Sequence, residues 1–407
     1  MDPEQFTMNT VDGGVCAPRG FLAGGLYCGI RKVKKDIAII RSEVPATVAG
    51  VFTLNKTQAA CVVIDKLQLK NSTKCSAIVV NSGNANACTG ERGLNDAWAM
   101  VDETARALKL PREQVMCSST GVIGQYMPME KITAGIRELA PKLSRSGNKA
   151  TAEAIMTTDT FAKEVAVSFT LGNRSVSIGG VAKGSGMIAP NMATMLGFVT
   201  TDAAIDQPTL QTALTAANDR SFNRITVDGD MSTNDMLLLL ANGCAENSPI
   251  KLHTEEYKLF YSALEYVLVK LARMIARDGE GATKLVEILV TGAVTEREAA
   301  QAARAVANSN LVKTAIHGAD ANWGRILAAV GYSGIDFNPD NVEVSFNDLP
   351  ILKRNYEIVL DEMKAKSILE QKEITVQINL NQGNESARFW TCDLTKDYVH
   401  INASYRS

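Results

Sequence analysis

The sequence predicts a mixed α/β protein, a layered sandwich of helices and mixed β-sheets. Short β-rich runs alternate with amphipathic helical segments along the 407 residues. Hairpin signals interrupt this alternation and argue against a purely parallel sheet. Neither a fixed repeat nor a low-complexity linker divides the chain, so we expect its two halves to share a core.

The N-terminal half is predicted to contain strands, two long helices and a hairpin. In the hairpin, alternating apolar residues at 165–169 and 176–178 flank the turn signal Leu171-Gly172-Asn173. The helix expected over 93–110 carries its apolar side chains on one face. The other predicted elements are strands at 37–40, 47–54, 77–80 and 115–117 and a helix over 129–143.

The C-terminal half begins with an apolar run after Thr194, which is typical of a buried strand. Helices and strands then alternate again. We expect helices over 209–222, 255–276, 296–307 and 322–330, and strands at 236–240, 285–294, 311–316, 342–346, 374–380, 387–392 and 398–401.

The composition is that of a soluble enzyme, with 46% hydrophobic and 21% charged residues. The formal net charge of −2 gives no attraction toward nucleic acid or anionic membranes. Residues 1–19 are polar and lack the apolar core of a secretory signal, and no apolar span reaches membrane length. A cytoplasmic location is therefore expected.

Cysteine and histidine usage indicates neither a disulfide framework nor a metal centre. The eight cysteines contain no CxxC pair, which favours reduced thiols. A reactive thiol would be sought at Cys88 or Cys117, because both are near glycine-rich loops. The three histidines show no spacing typical of metal ligands, so no metal is expected, and no cofactor either.

Four loops combine Gly, Ser, Thr or Asn with a neighbouring apolar element: 81–87, 118–124, 183–186 and 278–283. They are either ordinary turns or places where backbone N–H groups approach a ligand. A phosphate loop is disfavoured because Lys183 precedes its glycines, and the G-x-G-x-x-G pattern is absent. A serine triad is disfavoured because no G-x-S-x-G occurs.

Thr194 could be a loop residue, a strand residue or a nucleophile. As a nucleophile it needs no histidine if the chain is cleaved before it, because its own α-amine, with a pKa near 8, then serves as the base. An internal threonine carries an amide nitrogen there, which cannot accept a proton. This chemistry requires scission between Ala193 and Thr194.

The run KGSGMIAPNMATMLGFVTT at 183–201 resembles the signature of the ornithine acetyltransferase (ArgJ) family, the glutamate N-acetyltransferases of arginine biosynthesis. The likeness extends over nearly the whole chain. It includes NSGNANACTG at 81–90, SSTGVIG at 118–124, TTDTF at 157–161, TVDGDMSTND at 226–235, ARDGEGATK at 276–284, NLVKTAIHGADANWGRI at 310–326 and CDLTKDYVHINASYR at 392–406.

The resemblance implies an α/β/β/α-type sandwich related to N-terminal-nucleophile aminopeptidases. It also implies autocleavage into an α chain, 1–193, and a β chain, 194–407, which remain one interlocked body and assemble into heterotetramers or larger oligomers. The implied reaction is ping-pong: the acetyl group passes from N2-acetyl-L-ornithine to Thr194 and then to L-glutamate. Acetyl-CoA is a candidate second donor, and no residue decides whether it is used.

The resemblance also implies roles for individual residues. Thr194 matches the nucleophile, and the Thr120 side chain and Gly121 N–H match the oxyanion hole. The substrate-binding positions are Thr157, Lys183, Thr194, Glu280, Asn402 and Ser407. Family members often end in Thr, whereas this chain ends in Ser407, which keeps the hydroxyl and the terminal carboxylate but loses a methyl group.

A cation and a carboxylate suit a zwitterionic amino acid. We expect Lys183 to meet its carboxylate and Glu280 its ammonium group. Two other functions remain open at this point. One is an amidase or aminopeptidase that uses the same nucleophile with water as acceptor, and the other is an uncleaved amino-acid-binding protein.

Overall fold

The computed structural model describes residues 8–189 and 195–404. Its strands are β1 (Asn9–Thr10), β2 (Phe21–Leu26), β3 (Ile37–Phe52), β4 (Lys74–Asn84), β5 (Val115–Val122), β6 (Lys163–Leu171), β7 (Arg174–Lys183), β8 (Leu196–Thr201), β9 (Met236–Ala241), β10 (Leu285–Ala293), β11 (Glu343–Phe346), β12 (Leu349–Lys353), β13 (Glu357–Ile358), β14 (Glu373–Asn379) and β15 (Glu385–Cys392).

Its helices are α1 (Ala60–Asn71), α2 (Gly90–Leu108), α3 (Met129–Leu139), α4 (Asn148–Ile155), α5 (Gln207–Asp219), α6 (Glu255–Arg277), α7 (Glu296–Asn308), α8 (Asn310–His317), α9 (Trp323–Gly331), α10 (Glu362–Leu369) and α11 (Lys396–Ser404). None of these described helices has the length and hydropathy needed to cross a bilayer.

A large mixed sheet forms the centre of the molecule. Its strand order is β1-β6-β7-β8-β9-β3-β4-β5, with β2 paired to β3. The run of leucines in β9 shows why it lies inside: Leu238 and Leu240 pack into one core, and Leu237 and Leu239 pack into the other. A strand buried on both faces needs a continuous apolar sequence instead of an alternating one.

Helices cover both faces of this sheet. Side chains of α1, α2, α3 and α4 share a core with one face, and those of α5 and α6 share a core with the other. The N-terminal ends of α5 and α6 are capped. The Asp206 side chain accepts from Thr209 N–H, and the Thr254 side chain accepts from Tyr257 N–H.

The second sheet has the order β13-β12-β11-β14-β10-β15. Its β10 pairs parallel with β14 and antiparallel with β15. Helices α7, α8, α9 and α10 share a third core with this sheet. Leu285, Trp390 and Cys392 face the core of α6 instead, so α6 links the two sheets.

The predicted mixed α/β fold with mixed sheets is confirmed. The hairpin over 165–169 and 176–178 is β6–β7, and the apolar run after Thr194 is the buried strand β8. The strands expected at 37–40 and 47–54 are one strand, β3, whose pairing with β4 is irregular between Arg41 and Ala46. Helices α1 and α10 were not predicted.

Two predicted strands are wrong, because the structure has helices there. Residues 311–316 lie in α8, which starts where the Ser309 side chain accepts from Val312 N–H. Residues 398–401 lie in α11, none of whose described side chains is buried. A four- to six-residue apolar run fits either period, so periodicity alone does not distinguish a helix from a strand in either place.

Candidate active site

Strand pairing brings three distant parts of the chain to one end of the large sheet. Leu196, the first residue of β8, pairs with Lys183 at the end of β7 and with Met236 at the start of β9. The connection 184–195 therefore leaves and re-enters the sheet at neighbouring strands. The predicted cleavage residues Ala193 and Thr194 lie outside the described residues, but the sheet positions on either side of them are defined.

The residue that follows Thr194 is held by Asp235. The Met195 N–H donates to Asp235 Oδ1 over 3.0 Å, and the Met236 N–H donates to the Met195 carbonyl oxygen over 3.2 Å. Asp235 is buried, and this burial raises the pKa of its carboxyl well above the usual value, although the Met195 N–H and the charge of Lys183 oppose the shift.

Asn234 joins the start of β9 to the ends of β4 and β5. Its side-chain amide donates to the carbonyl oxygens of Ala85 over 2.6 Å and Ser119 over 2.8 Å. The neighbouring Thr120 and Gly121 lie near the end of β5, where the register of its pairing with β4 is irregular. Irregular pairing of this kind re-aims side chains at the rim of a sheet.

Gly121 is required by its backbone conformation and by close packing. Its φ is +135°, and a Cβ at this position would lie 2.3 Å from the carbonyl carbon of Gly83. Any other residue would push β5 away from β4 at this point. Thr120 and Gly121 are therefore held in a fixed position relative to the end of β4.

Lys183 projects into the same region from the end of β7. It is 3% exposed, and its Nζ donates to Thr120 Oγ1 over 3.4 Å. Burial lowers the pKa of Lys183, and the charge of Lys163 lowers it further, whereas Asp159, Asp235 and Glu280 act in the opposite direction. The charges of Asp159 and Glu280 favour the charged form of this ammonium group in the protein interior.

A buried network of ion pairs acts on the charge of Lys183. Lys163 Nζ contacts Asp159 Oδ1 at 2.7 Å and Asp278 Oδ2 at 2.5 Å. Burial alone would raise the pKa of Asp159, but Lys183, Lys163 and the Gly184 N–H together hold that pKa below its usual range. The network fixes the start of the glycine-rich segment, since Gly184 N–H donates to Asp159 Oδ1 over 2.8 Å.

Glu280 is the second charged group at the site. Its backbone N–H donates to the Ser185 carbonyl oxygen over 2.9 Å, and the Asn402 side chain donates to its Oε2 over 2.8 Å. A Cβ on Gly186 would lie 2.3 Å from that same Oε2. Gly186 is therefore a glycine because the carboxylate of Glu280 occupies the space of a side chain.

These groups enclose a cavity of about 130 Å³. Six of the predicted site residues line it, namely Thr120, Gly121, Thr157, Lys183, Glu280 and Asn402. The remaining lining residues are Ala85, Ile123, Thr158, Gly186, Met187, Ser232, Thr233 and Asn234. Thr194 and Ser407 lie outside the described residues.

Four residues of the site were not predicted from the sequence: Asp235, Asn234, Asp159 and Lys163. The first two lie in the 226–235 motif. There the polar run Thr-Asn-Asp directly precedes a fully apolar strand, and this pattern could have indicated a site at the start of that strand. Asp159 lies next to Thr157 in the 157–161 motif. Lys163 starts a strand, and no local pattern indicates that it is buried between two carboxylates.

Within the described residues, no cluster of His, Cys, Asp and Glu side chains could hold a metal ion. All eight cysteines are free thiols. Burial raises the pKa of the Cys117 thiol well above its usual value, which disfavours a thiolate at that position. Cys88 is exposed and does not line the cavity.

Comparison with known proteins identifies the family. The model of the ArgJ family matches residues 22–407. A relative from Caldanaerobacter subterraneus subsp. tengcongensis, called arginine biosynthesis bifunctional protein ArgJ, is 50% identical over 404 residues and covers 98% of this chain and 100% of its own length. A protein of the same name from Symbiobacterium thermophilum is 52% identical over 403 residues, with 98% and 100% covered.

A solved structure agrees with this result. The crystal structure of arginine biosynthesis bifunctional protein ArgJ from Bacillus halodurans has 48% sequence identity and a TM-score of 0.50, and the match covers 51% of this chain and 98% of that chain. The match of the family model over most of the sequence and the near-complete relatives lead to one conclusion: this chain belongs to the ArgJ family.

Proposed function

We propose that this chain is an acetyltransferase of arginine biosynthesis that uses Thr194 as an N-terminal nucleophile. The proposal rests on one observation. A single cavity is lined by a buried cation, Lys183, by a carboxylate, Glu280, and by the polar residues at the end of β5. Such a pair suits a substrate that has both a carboxylate and an ammonium group. N2-acetyl-L-ornithine, L-ornithine and L-glutamate all have both.

The first step is maturation by cleavage of the Ala193–Thr194 bond. Asp235 holds the N–H of Met195, directly after Thr194, so it restrains the segment that would become the new N-terminus. Cleavage would give products of 193 residues and, since 407 − 193 = 214, of 214 residues. The Bacillus halodurans chain, matched at 98% of its length by 51% of this one, has the size of such a half.

Acetyl transfer then occurs in two half-reactions. The Thr194 hydroxyl attacks the acetyl carbonyl of N2-acetyl-L-ornithine, its proton passes to the α-amine of Thr194, and ornithine leaves with that proton on its amino group. The α-amine of L-glutamate, in its neutral form, attacks the acetyl-threonine ester, and the bond between the acetyl carbon and the Thr194 oxygen breaks. One proton of the attacking amine passes through the α-amine of Thr194 to that oxygen, which gives N-acetyl-L-glutamate and restores the hydroxyl. Thr120 Oγ1–H and Gly121 N–H stabilise the oxyanion of both tetrahedral intermediates, each donor contributing about 3 kcal/mol.

The same two charged residues bind the donor and the acceptor, although the ammonium group is on the side chain of N2-acetyl-L-ornithine and on the α-carbon of L-glutamate. Lys183 binds the α-carboxylate, and Glu280, held by Asn402, binds an ammonium group. Thr157 and Ser407 complete the substrate contacts in this proposal. Acetyl-CoA is proposed as a second acetyl donor because the curated relatives are called bifunctional.

The Thr194→Ala variant tests the mechanism. Wild-type protein is expected to run as two bands in a denaturing gel, and mass spectrometry should give Thr194 as the N-terminus of one. The variant should run as one full-length band and transfer no acetyl group, because it lacks the hydroxyl. Transfer activity in an uncleaved chain would contradict the mechanism.

The choice of acceptor separates the proposed transferase from a hydrolase. With N2-acetyl-L-ornithine as donor, release of ornithine should depend on added glutamate and match the N-acetyl-L-glutamate formed. Ornithine release at the same rate without glutamate would indicate an amidase. Replacing the donor with acetyl-CoA in the same assay tests the second activity.

A further inference from the structure

A cleft outside the candidate active site has an excess of arginine. It lies among the end of α5, the short helix Phe222–Arg224, α6 and the N-terminal half of α7, and its volume is about 1140 Å³. We refer to it as the arginine cleft and define it by Arg220, Arg224, Arg297 and Arg304. No residue that lines it also lines the candidate active site.

The acidic side chains of the cleft are already engaged. Glu296 pairs with Arg220 at 2.9 Å and with Arg224 at 3.2 Å. Asp219 accepts from the Asn223 side chain over 2.7 Å. Against four guanidinium groups the cleft therefore offers two carboxylates, and neither pairs with Arg304.

Arg304 lacks a counter-ion in the described part of the chain. Its Nε is buried and has no hydrogen-bond partner, and no described carboxylate lies within ion-pair distance of it. A guanidinium group has five N–H donors and stays charged in proteins, so a buried N–H without an acceptor costs free energy. Burial and the charge of Arg224 both lower the pKa of Arg304, as expected for two cations that line the same cleft.

Helix geometry directs this side chain into the cleft. Arg297, Ala300, Gln301 and Arg304 are spaced at i, i+3, i+4 and i+7, so they form one face of α7, and all four line the cleft. Arg224 also lines the cleft and is mostly buried, with 13% of its side chain exposed. An anion in the cleft would supply the counter-ion that Arg304 lacks among the described residues.

We propose that the arginine cleft binds a small molecule carrying a multivalent oxyanion, either a di- or triphosphate or several carboxylates. Two forked guanidinium groups match the paired oxygens of either group. The cleft, with a volume of about 1140 Å³, has room for a molecule with a body beyond its charged group. The site is separate from the catalytic cavity, and its occupation does not depend on the acetyl-transfer chemistry.

Thermal unfolding with added pyrophosphate or citrate tests the proposal, with sodium chloride at equal ionic strength as reference. A ligand that binds only the folded state raises the melting temperature in a saturable way. We expect at least one of the two anions to do so for the wild type. A stronger effect of pyrophosphate identifies a phosphate site, and a stronger effect of citrate identifies a carboxylate site.

Arg304→Gln should weaken this binding about tenfold or more, the effect of losing a charge-assisted pair of hydrogen bonds. In sodium chloride alone the variant should be at least as stable as the wild type, because an uncompensated charge is removed. Arg304→Lys should give an intermediate affinity. Arg174→Gln, which removes an arginine from an exposed pair with Glu246, is the matched control and should respond like the wild type.

Two results would overturn the proposal. One is the absence of a saturable rise with either anion in the wild type. The other is an equal rise in the wild type and Arg304→Gln, which would assign the effect to general salt stabilisation. Acetyl transfer without added anion should be unchanged in Arg304→Gln and serves as the test of correct folding.

Discussion

Lys183 and Glu280 place opposite charges in one small cavity, and each is held by contacts that leave part of the group facing that cavity. Lys183 donates to Thr120, and Glu280 accepts from Asn402. If the pair binds an amino acid as proposed, both charges are in position before the substrate arrives.

Glu280→Gln should raise KM for glutamate and lower kcat/KM by about 10- to 100-fold, because a hydrogen bond to a charged group is lost. The amide keeps the shape of the side chain, so cleavage into two bands should persist. Steady-state kinetics measures the effect. Glu373→Gln, an exposed carboxylate paired with Arg277, is the control, and the same kcat/KM in both variants would remove Glu280 from substrate binding.

Asp235→Asn should make the protein more stable, and the gain should grow with pH. In the wild type, burial raises the pKa of the folded Asp235 above its unfolded value, so stability is lost as pH rises through the folded pKa. Asparagine does not titrate, and its oxygen can still accept from Met195 N–H.

Calorimetric melting temperatures of the wild type and Asp235→Asn between pH 5 and pH 8, roughly the range between ordinary carboxyl and amine titration, test this expectation. The curves should diverge toward high pH. Parallel curves over the whole range would mean that Asp235 does not titrate differently in the folded and unfolded states.

At the level of elements, sequence periodicity predicted most of the helices and the buried strands, but it missed α1 and α10 and indicated strands where α8 and α11 lie. Helix α6 has a continuous apolar face and a Thr254 cap, and its predicted bounds of 255–276 agree closely with Glu255–Arg277. Helices α8 and α11 have eight and nine residues, too few for a helical period to be distinguished from a strand.

The residues of the candidate site also divide into those that the sequence predicted and those that it did not. The glycine-rich loops and the family motifs pointed to the residues that line the cavity, because glycine and polar residues beside strands are visible in sequence. The supporting network of Lys163, Asp159 and Asp278 was not predicted. Its members come from β6, the preceding loop and the end of α6, and only tertiary structure shows that their charges neutralise one another.

Across the whole molecule, the proposed cleavage point lies between two strands that remain paired to each other. Strands β8 and β9 follow the cleavage point in sequence, yet in the large sheet they lie between β7 and β3, which precede it. The β8 ladder with β7 and the β9 ladder with β3 each run over six residue pairs. Both faces of these strands are also buried in cores shared with the N-terminal part.

Cleavage should therefore leave one stable body. We expect the products 1–193 and 194–407 to elute together in gel filtration in 1 M NaCl, where the Debye length is about 3 Å, because ladders and apolar cores, not exposed ion pairs, join them. They should separate only through the urea unfolding transition. Co-expressing the two pieces from separate genes tests this even if autocleavage does not occur. Pieces that fold and elute apart would show that the central strands do not hold the halves together, whereas failure of the full-length chain to cleave would leave this architecture intact and reject only the proposed maturation.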